Sequence, residues 1–167
     1  MDTNHTISSL YDLVNVPSAV WIDEQGQVLR IDEGAYATVH KMGEFEFGRD
    51  DYAPMVVDWV RNGPDSRYVA DAKAATSRLT PKTAEAARAE PAFKLGVYFH
   101  SRGDGAKADQ YWEQAQALNP DSWNYARQDW SFTPEQANAN WAEKFESLEG
   151  KPYYKPIAGL DSPGGEG

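Results

Sequence analysis

AFKLGVYFHSRGDGAKADQYWEQAQALNP, residues 92–120, carries the strongest structural pattern in this chain. The pattern combines small residues, aromatic residues, two glycines and a proline, namely Gly96 and Ala108, Phe99 and Trp112, Gly103 and Gly105, and Pro120. Small residues let two antiparallel helices cross closely, and aromatic residues fill the space beside the crossing. Because the glycines fit a turn and the proline ends a helix, the stretch predicts a helical hairpin.

With these spacings, the stretch resembles one tetratricopeptide repeat over about residues 89–122. Ala92 stands where the family usually has its first aromatic residue, and the signature spacings from Leu95 onward are met. One repeat cannot bury its own face, so the flanking helices, 66–89 and 122–147, are expected to act as degenerate neighbours. The resemblance implies recognition of a protein or peptide partner in a concave groove. A structural cap with no ligand, which a single repeat favours, is the alternative.

The N-terminal part of the chain has a different pattern. Apolar residues at helical spacing over residues 7–14 predict a short helix, and Pro17 ends it. Two short apolar runs around the turn at Gly26 then predict a β-hairpin over residues 19–31. Residues 32–48 are expected to form mostly loop. A helix over residues 52–62 is predicted to bury a stripe of four side chains, Tyr52, Val56, Trp59 and Val60.

Residues 11–31, YDLVNVPSAVWIDEQGQVLRI, resemble the second half of a thioredoxin-like domain of the TlpA thiol–disulfide oxidoreductase type. The likeness lies in Tyr11, Val16-Pro17-Ser18, Asp23 and Gly26, and the helix 52–62 would match the last helix of that domain. It covers about residues 1–63 and implies a cis Val16–Pro17 bond with a peptide-facing edge. Val16 and Pro17 are therefore candidate binding residues.

The resemblance does not carry the family's chemistry over to this chain. Thiol–disulfide exchange requires a thiolate, and the chain has no cysteine. The first half of the thioredoxin-like domain, which holds the Cys-x-x-Cys pair in that family, is also missing. We therefore expect no catalytic residue and no enzymatic activity from this chain alone.

A two-stranded hairpin on its own is marginally stable in water, so Trp21 and its neighbours need cover. The helices over residues 52–62 and 81–147 could provide it, or two chains could pair their hairpins into one sheet. We favour a homodimer formed through the 19–31 hairpin.

The rest of the chain is predicted to be helical. Residues 66–78 form one helix, Thr80-Pro81 caps the next, Pro91 starts another, and Thr133 to Gln136 form a capping box. The fold class is therefore α+β, mainly α. A short β-hairpin from an incomplete thioredoxin-like fold is followed by a TPR-like antiparallel helical array. The predicted domains are a partial thioredoxin-like segment (1–63), the helical domain (64–149) and an irregular tail (150–167).

Two aromatic residues in the helical part are further candidate binding residues. Tyr98 lies on the first helix of the predicted hairpin, and Trp123 lies in the aromatic segment DSWNYARQDWSF, residues 121–132. Trp123 could line a ligand pocket, although its spacing favours packing in a core. No metal site and no cofactor are predicted, because the three histidines lack metal-ligand spacing and no glycine-rich phosphate loop is present.

Composition limits the partners and the location of the chain. A net charge of −10 over 167 residues disfavours binding to nucleic acid. No apolar run approaches the ~20 residues that span a bilayer, and the polar N-terminus predicts no secretory signal. The location is unknown, with a soluble cytoplasmic protein as the default.

Together these patterns predict a non-catalytic protein that acts in protein–protein interaction or assembly. The first alternative is a fragment of a thiol–disulfide oxidoreductase whose redox half is missing from this chain. The second is a structural protein with no ligand.

Overall fold

A computed structural model describes residues 5–69 and 82–161. The fold is α+β and mainly α, as predicted. In chain order its elements are α1 (Thr6–Leu10), β1 (Ser18–Ile22), β2 (Val28–Glu33), β3 (Val39–Met42), β4 (Phe45–Gly48), α2 (Tyr52–Asn62), a 3-10 turn (Gly63–Asp65), α3 (Ala84–Ser101), α4 (Gly105–Leu118), α5 (Trp123–Trp130) and α6 (Ala137–Glu146).

Contacts group these elements into two compact units. The helical unit contains residues 5–15 and 82–153, and the β unit contains residues 16–69 and 154–161. Each unit is therefore built from two separate segments of the chain. The helix α1 belongs to the helical unit, and the segment 154–161, which has neither helix nor strand, belongs to the β unit.

The predicted helical hairpin is confirmed as α3 and α4. The Thr83 side chain caps α3 by accepting a hydrogen bond from the Ala86 amide at 3.1 Å. Gly103, with a φ of 78°, makes the turn, and the Asp104 side chain caps α4 by accepting from the Lys107 amide at 3.2 Å. Local sequence signals thus begin both helices.

The two helices of the hairpin interlock at Gly96 and Trp112. Both residues are buried, and a Cβ atom at position 96 would lie 2.4 Å from the Trp112 indole. Only glycine therefore leaves room for this tryptophan. Beside it, Phe93 stacks on Tyr125 with ring centroids 4.7 Å apart, which joins α5 to the same apolar core.

The prediction that Pro91 starts a helix is wrong, because Pro91 lies inside α3. A proline removes one backbone hydrogen bond and costs about 3 kcal/mol inside a helix. Here α3 is alanine-rich before the proline, and it buries Ala89 before Pro91 and Phe93 after it. Core packing on both sides therefore outweighs the local signal.

Two other helix predictions have different outcomes. The helix predicted after Thr133 begins later, at Ala137, because the amides of Thr133 and Gln136 take part in turns instead. Residues 66–69 form a turn, and the remainder of the helix predicted over 66–78, with the Thr80-Pro81 cap, lies outside the described residues.

The 19–31 hairpin is confirmed as β1 and β2, which pair antiparallel with Val20 opposite Ile31. Asp23 stabilises the turn, because its Oδ1 accepts hydrogen bonds from the Gln25 and Gln27 amides at 3.0 and 2.7 Å. The Val16–Pro17 bond that precedes β1 is cis.

The prediction of loop over residues 32–48 is wrong in its second half. There β3 and β4 form a second antiparallel hairpin around Gly43, which has a φ of 63°. Each strand has four residues, which is too short for alternation to stand out in the sequence.

The β unit has its own small core beneath β1. Trp21 is buried there and stacks on Trp59 of α2 with ring centroids 4.6 Å apart. Met55 is buried with it, whereas Val60, predicted for the buried stripe, is 75% exposed. Ile157 from the C-terminal segment completes the cluster. Trp21 is thus covered by its own chain, and the homodimer through the 19–31 hairpin stays a prediction.

Candidate functional site

A chain of buried polar groups crosses the core of the β unit. The Trp21 indole donates to the Tyr52 hydroxyl at 2.9 Å, and that hydroxyl donates to Oδ2 of Asp32 at 3.1 Å. Arg30 forms an ion pair with the same carboxylate. Burial, and next the negative charge of Asp32, raise the pKa of Tyr52, so its hydroxyl stays protonated. Tyr52 therefore acts as a structural donor.

Arg30 also holds two further segments of the β unit in place. Its guanidinium donates to the backbone oxygen of Tyr68 at 3.0 Å and to that of Ala158 at 2.6 Å. Every charged group in this network thus has a partner, which buried charges require. The network ties the C-terminal segment to β2, and we assign it a structural role.

A cavity of about 230 Å³ in the β unit is also lined by paired charges. Lys155 lies 3.3 Å from Glu33, and Arg49 binds both Asp51 and Asp161. The hydrogen bonds from Arg49 are the main cause that lowers the pKa of each aspartate. Because these charges already neutralise one another, the cavity offers no unpaired group to a ligand.

Val16 and Pro17, the first predicted binding residues, lie before β1. The Val16 backbone oxygen accepts a hydrogen bond from the Tyr154 hydroxyl at 3.0 Å, and that of Pro17 accepts from the Gly34 amide at 2.8 Å. The Val16 side chain is 50% exposed, whereas Pro17 is half-buried. These two carbonyl groups are therefore engaged within the β unit, and the peptide-facing edge stays a prediction.

Tyr98, the third predicted residue, lies at the centre of an exposed aromatic area of the helical unit. We call this area the Tyr98 surface, and it consists of Leu95, Tyr98, Phe99, Arg102, Lys107 and Tyr111. Leu95 is 41% exposed and Tyr98 47% exposed, one helical turn apart on α3. Neither belongs to the apolar core of the helical unit.

Cationic side chains cover the rings of the Tyr98 surface. The Arg102 guanidinium lies 4.8 Å from the centroid of Tyr98, and the Lys107 ammonium lies 5.0 Å from that of Phe99. Phe99 in turn stacks on Tyr111, with ring centroids 5.5 Å apart and ring planes within 2°. The surface is therefore an ordered set of aromatic rings with positive charge above it.

Trp123, the fourth predicted residue, is buried in the helical unit. Its ring contacts Tyr153 edge-on with centroids 4.6 Å apart, and the Lys144 ammonium lies 5.2 Å from its centroid. This burial supports the core-packing interpretation of the aromatic segment.

Sequence reasoning missed an open, mostly apolar groove between α5 and α6. We call it the tryptophan groove, and its volume is about 250 Å³. Its lining consists of Arg127, Trp130, Ser131, Pro134, Ala137, Asn138 and Trp141. The two tryptophans are eleven positions apart in the sequence, and only the packing of α6 beside α5 brings them together. The one signal in the sequence is the high density of tryptophan in this region.

Two other kinds of site can be checked over the part of the chain that the structure describes. There, no group of three or more histidine, aspartate or glutamate side chains is placed to bind a metal ion. Within the same residues, no helix combines the length and the apolar character needed to cross a membrane.

No family model, no curated protein and no solved structure matches this chain. The resemblances to a tetratricopeptide repeat and to a TlpA-type domain therefore stay predictions. The function has to be argued from the surfaces described above.

Proposed function

We propose that this chain is a non-catalytic interaction module and that it binds a protein partner at the Tyr98 surface. The observation that carries the proposal is the exposure of Leu95 and Tyr98, side by side on α3. The opposite side of the same helix is locked into the core through Gly96 and Phe93. A rigid helix thus presents an apolar pair that its own unit leaves uncovered.

The chemistry of the surface is that of interface hot spots. Tyrosine and arginine are enriched among the residues that dominate binding energy, because they combine apolar area with hydrogen bonding. Arg102 holds its charge over the Tyr98 ring, and it forms no ion pair with any other residue in the described ranges. A partner could therefore bury the tyrosine ring and supply an acceptor for the arginine in the same contact.

The competing structural explanation requires these side chains to support the hairpin. Phe99 packs against the core and stacks on Tyr111, so it has such a role. Leu95 and Tyr98 lie outside the core cluster. Their exposure costs solubility without a matching contribution to packing, which favours a role in binding. The absence of enzymatic activity and the compartment of the chain stay predictions from the sequence.

The proposal can be tested by affinity capture from cells that express the chain. The tagged wild type is compared with Tyr98→Ser and with Leu95→Ser. Val60→Ser is the matched control, because Val60 is apolar and even more exposed but lies in the β unit. We expect one or more proteins to be captured by the wild type and by the control, and to be lost from both test variants.

Circular dichroism establishes that the variants are folded before capture is compared. A partner that Tyr98→Ser and Leu95→Ser retain at wild-type levels would contradict the proposal. Failure of the wild type to capture any protein would shift the evidence to the structural alternative and would also count against it.

A further inference from the structure

We propose that the tryptophan groove is a second binding site, separate from the Tyr98 surface, and that it takes a proline-rich segment carrying lysine or arginine. The indole N–H of Trp130 makes no hydrogen bond within the described ranges, and it is not among the buried polar atoms. It is therefore available to donate to a ligand. The amide of Asn138, an exposed residue of α6, lies on the same groove.

The groove is held in shape before any ligand binds. Trp141 stacks on Phe145 with ring centroids 4.9 Å apart, and its indole N–H lies 3.3 Å from the Tyr153 hydroxyl. Trp130 packs edge-on against the buried Trp123 at 6.4 Å. Fixed rings lose little conformational freedom on binding, so preorganisation favours affinity.

The shape and chemistry of the groove select a polyproline II segment over other peptide conformations. An amphipathic helix needs a groove that takes anchors over two turns, and this one has only about 250 Å³. An added strand needs an open sheet edge, and α5 and α6 are helices. A polyproline II segment has no internal hydrogen bonds, so its carbonyl groups can accept from Trp130 and Asn138 while its rings pack on the tryptophans.

The charge around the groove favours a basic ligand. Residues 129–146 contain four acidic residues and a single lysine, Lys144. That lysine is already engaged, because it donates to the Pro120 backbone oxygen at 2.6 Å. The whole chain has a net charge of −10, which also attracts a cationic segment.

The test is a titration of the full chain with three blocked peptides, followed by ¹⁵N NMR of the indole N–H signals. The probe is RPPLPPK, the charge-reversed control is EPPLPPE, and the flexible control is RGGLGGK. We expect RPPLPPK to shift the Trp130 signal with saturation, and the two controls to bind at least about tenfold more weakly.

Variants locate the contact. Trp130→Ala is expected to weaken binding of RPPLPPK about tenfold or more, and Trp130→Phe, which keeps a ring but loses the N–H donor, by an intermediate factor. Tyr98→Ser should leave the affinity unchanged, so this test stands or falls separately from the proposed function. Asn138→Ala, at an exposed position, keeps the site testable if a tryptophan variant does not fold.

Several results would overturn the proposal. No shift of the Trp130 or Trp141 signals by RPPLPPK would do so, as would equal binding of all three peptides. Unchanged affinity in both Trp130→Phe and Asn138→Ala would also overturn it. Shifts caused by a neutral oligosaccharide such as cellohexaose, with none from the peptides, would assign the groove to a different class of ligand.

Discussion

The two units of this chain are stabilised by opposite means. The helical unit interlocks apolar volumes, with the Trp112 indole filling the space above Gly96. The β unit buries charge, with Arg30 and Asp32 linked to Tyr52 and Trp21. A volume core tolerates polar change at its surface but not a change in size, and a charged core depends on keeping every partner. The same kind of substitution should therefore have different consequences in the two units.

The largest expected effect is on the charged core of the β unit. Replacing Arg30 by methionine leaves the Asp32 carboxylate buried without its cation and frees the carbonyl groups of Tyr68 and Ala158. We expect a loss of about 3–5 kcal/mol in the free energy of unfolding, measured by urea titration. The double variant Arg30→Met with Asp32→Leu should lose less than the single one. A larger loss in the double variant would show that the pair is not coupled.

A smaller but still clear effect is expected when a single methyl group is added to the helical core. In Gly96→Ala the new Cβ would meet the Trp112 indole at 2.4 Å, so we expect a destabilisation of about 3 kcal/mol. Gly105→Ala is the matched control, because the first position of α4 has open space around it. The control should be neutral or more stable by about 0.5–1 kcal/mol in the same urea titration. Equal effects of the two substitutions would refute the interlock.

These two effects also separate what the sequence could and could not predict. The spacing of Gly96, Ala108 and Trp112 encodes the hairpin locally, and the hairpin is confirmed. The buried Arg30–Asp32 network was not foreseen, because its partners at Tyr68 and Ala158 are distant in sequence. A charged residue in a strand ordinarily faces solvent, and nothing in the local pattern distinguishes these two.

The candidate sites divide along the same line. Tyr98 was predicted, and it is exposed because it lies on a helix whose core-facing residues could be read from periodicity. The tryptophan groove was missed, because it depends on how two helices pack side by side. Val60 was assigned to a buried face that Met55 occupies instead, since both patterns fit one helix.

Alkaline pH should weaken the helical unit through Tyr125. Burial, and next the charge of Glu90, raise the pKa of Tyr125 to about 12, whereas a tyrosine in the unfolded chain ionises near about 10. Between these values the unfolded state loses its proton first, so the free energy of unfolding falls as pH rises. Tyr125→Phe should flatten this fall when urea titrations are compared at pH 9 and pH 11. An unchanged slope would contradict the assignment.

The smallest expected effect is a gain in stability from Asp129→Asn. Burial is the main cause that raises the pKa of Asp129, and the charges of Asp109 and Glu113 add to it. A raised pKa means that the favourable contribution exists at acidic pH and is lost as pH rises above the unfolded value. At pH 7 the asparagine variant should therefore be slightly more stable, by less than about 1 kcal/mol, since the amide oxygen can still accept from Gln116. A loss of stability at pH 7 would argue against this account.

The most direct measurement of the interaction proposal is site-specific photo-crosslinking in cells that express the chain. p-Benzoylphenylalanine is placed at position 98 in one sample and at position 60, on the exposed face of α2, in the other. The account predicts a discrete crosslinked protein from position 98 that is absent from position 60. The same crosslinks from both positions, or none from position 98, would contradict it.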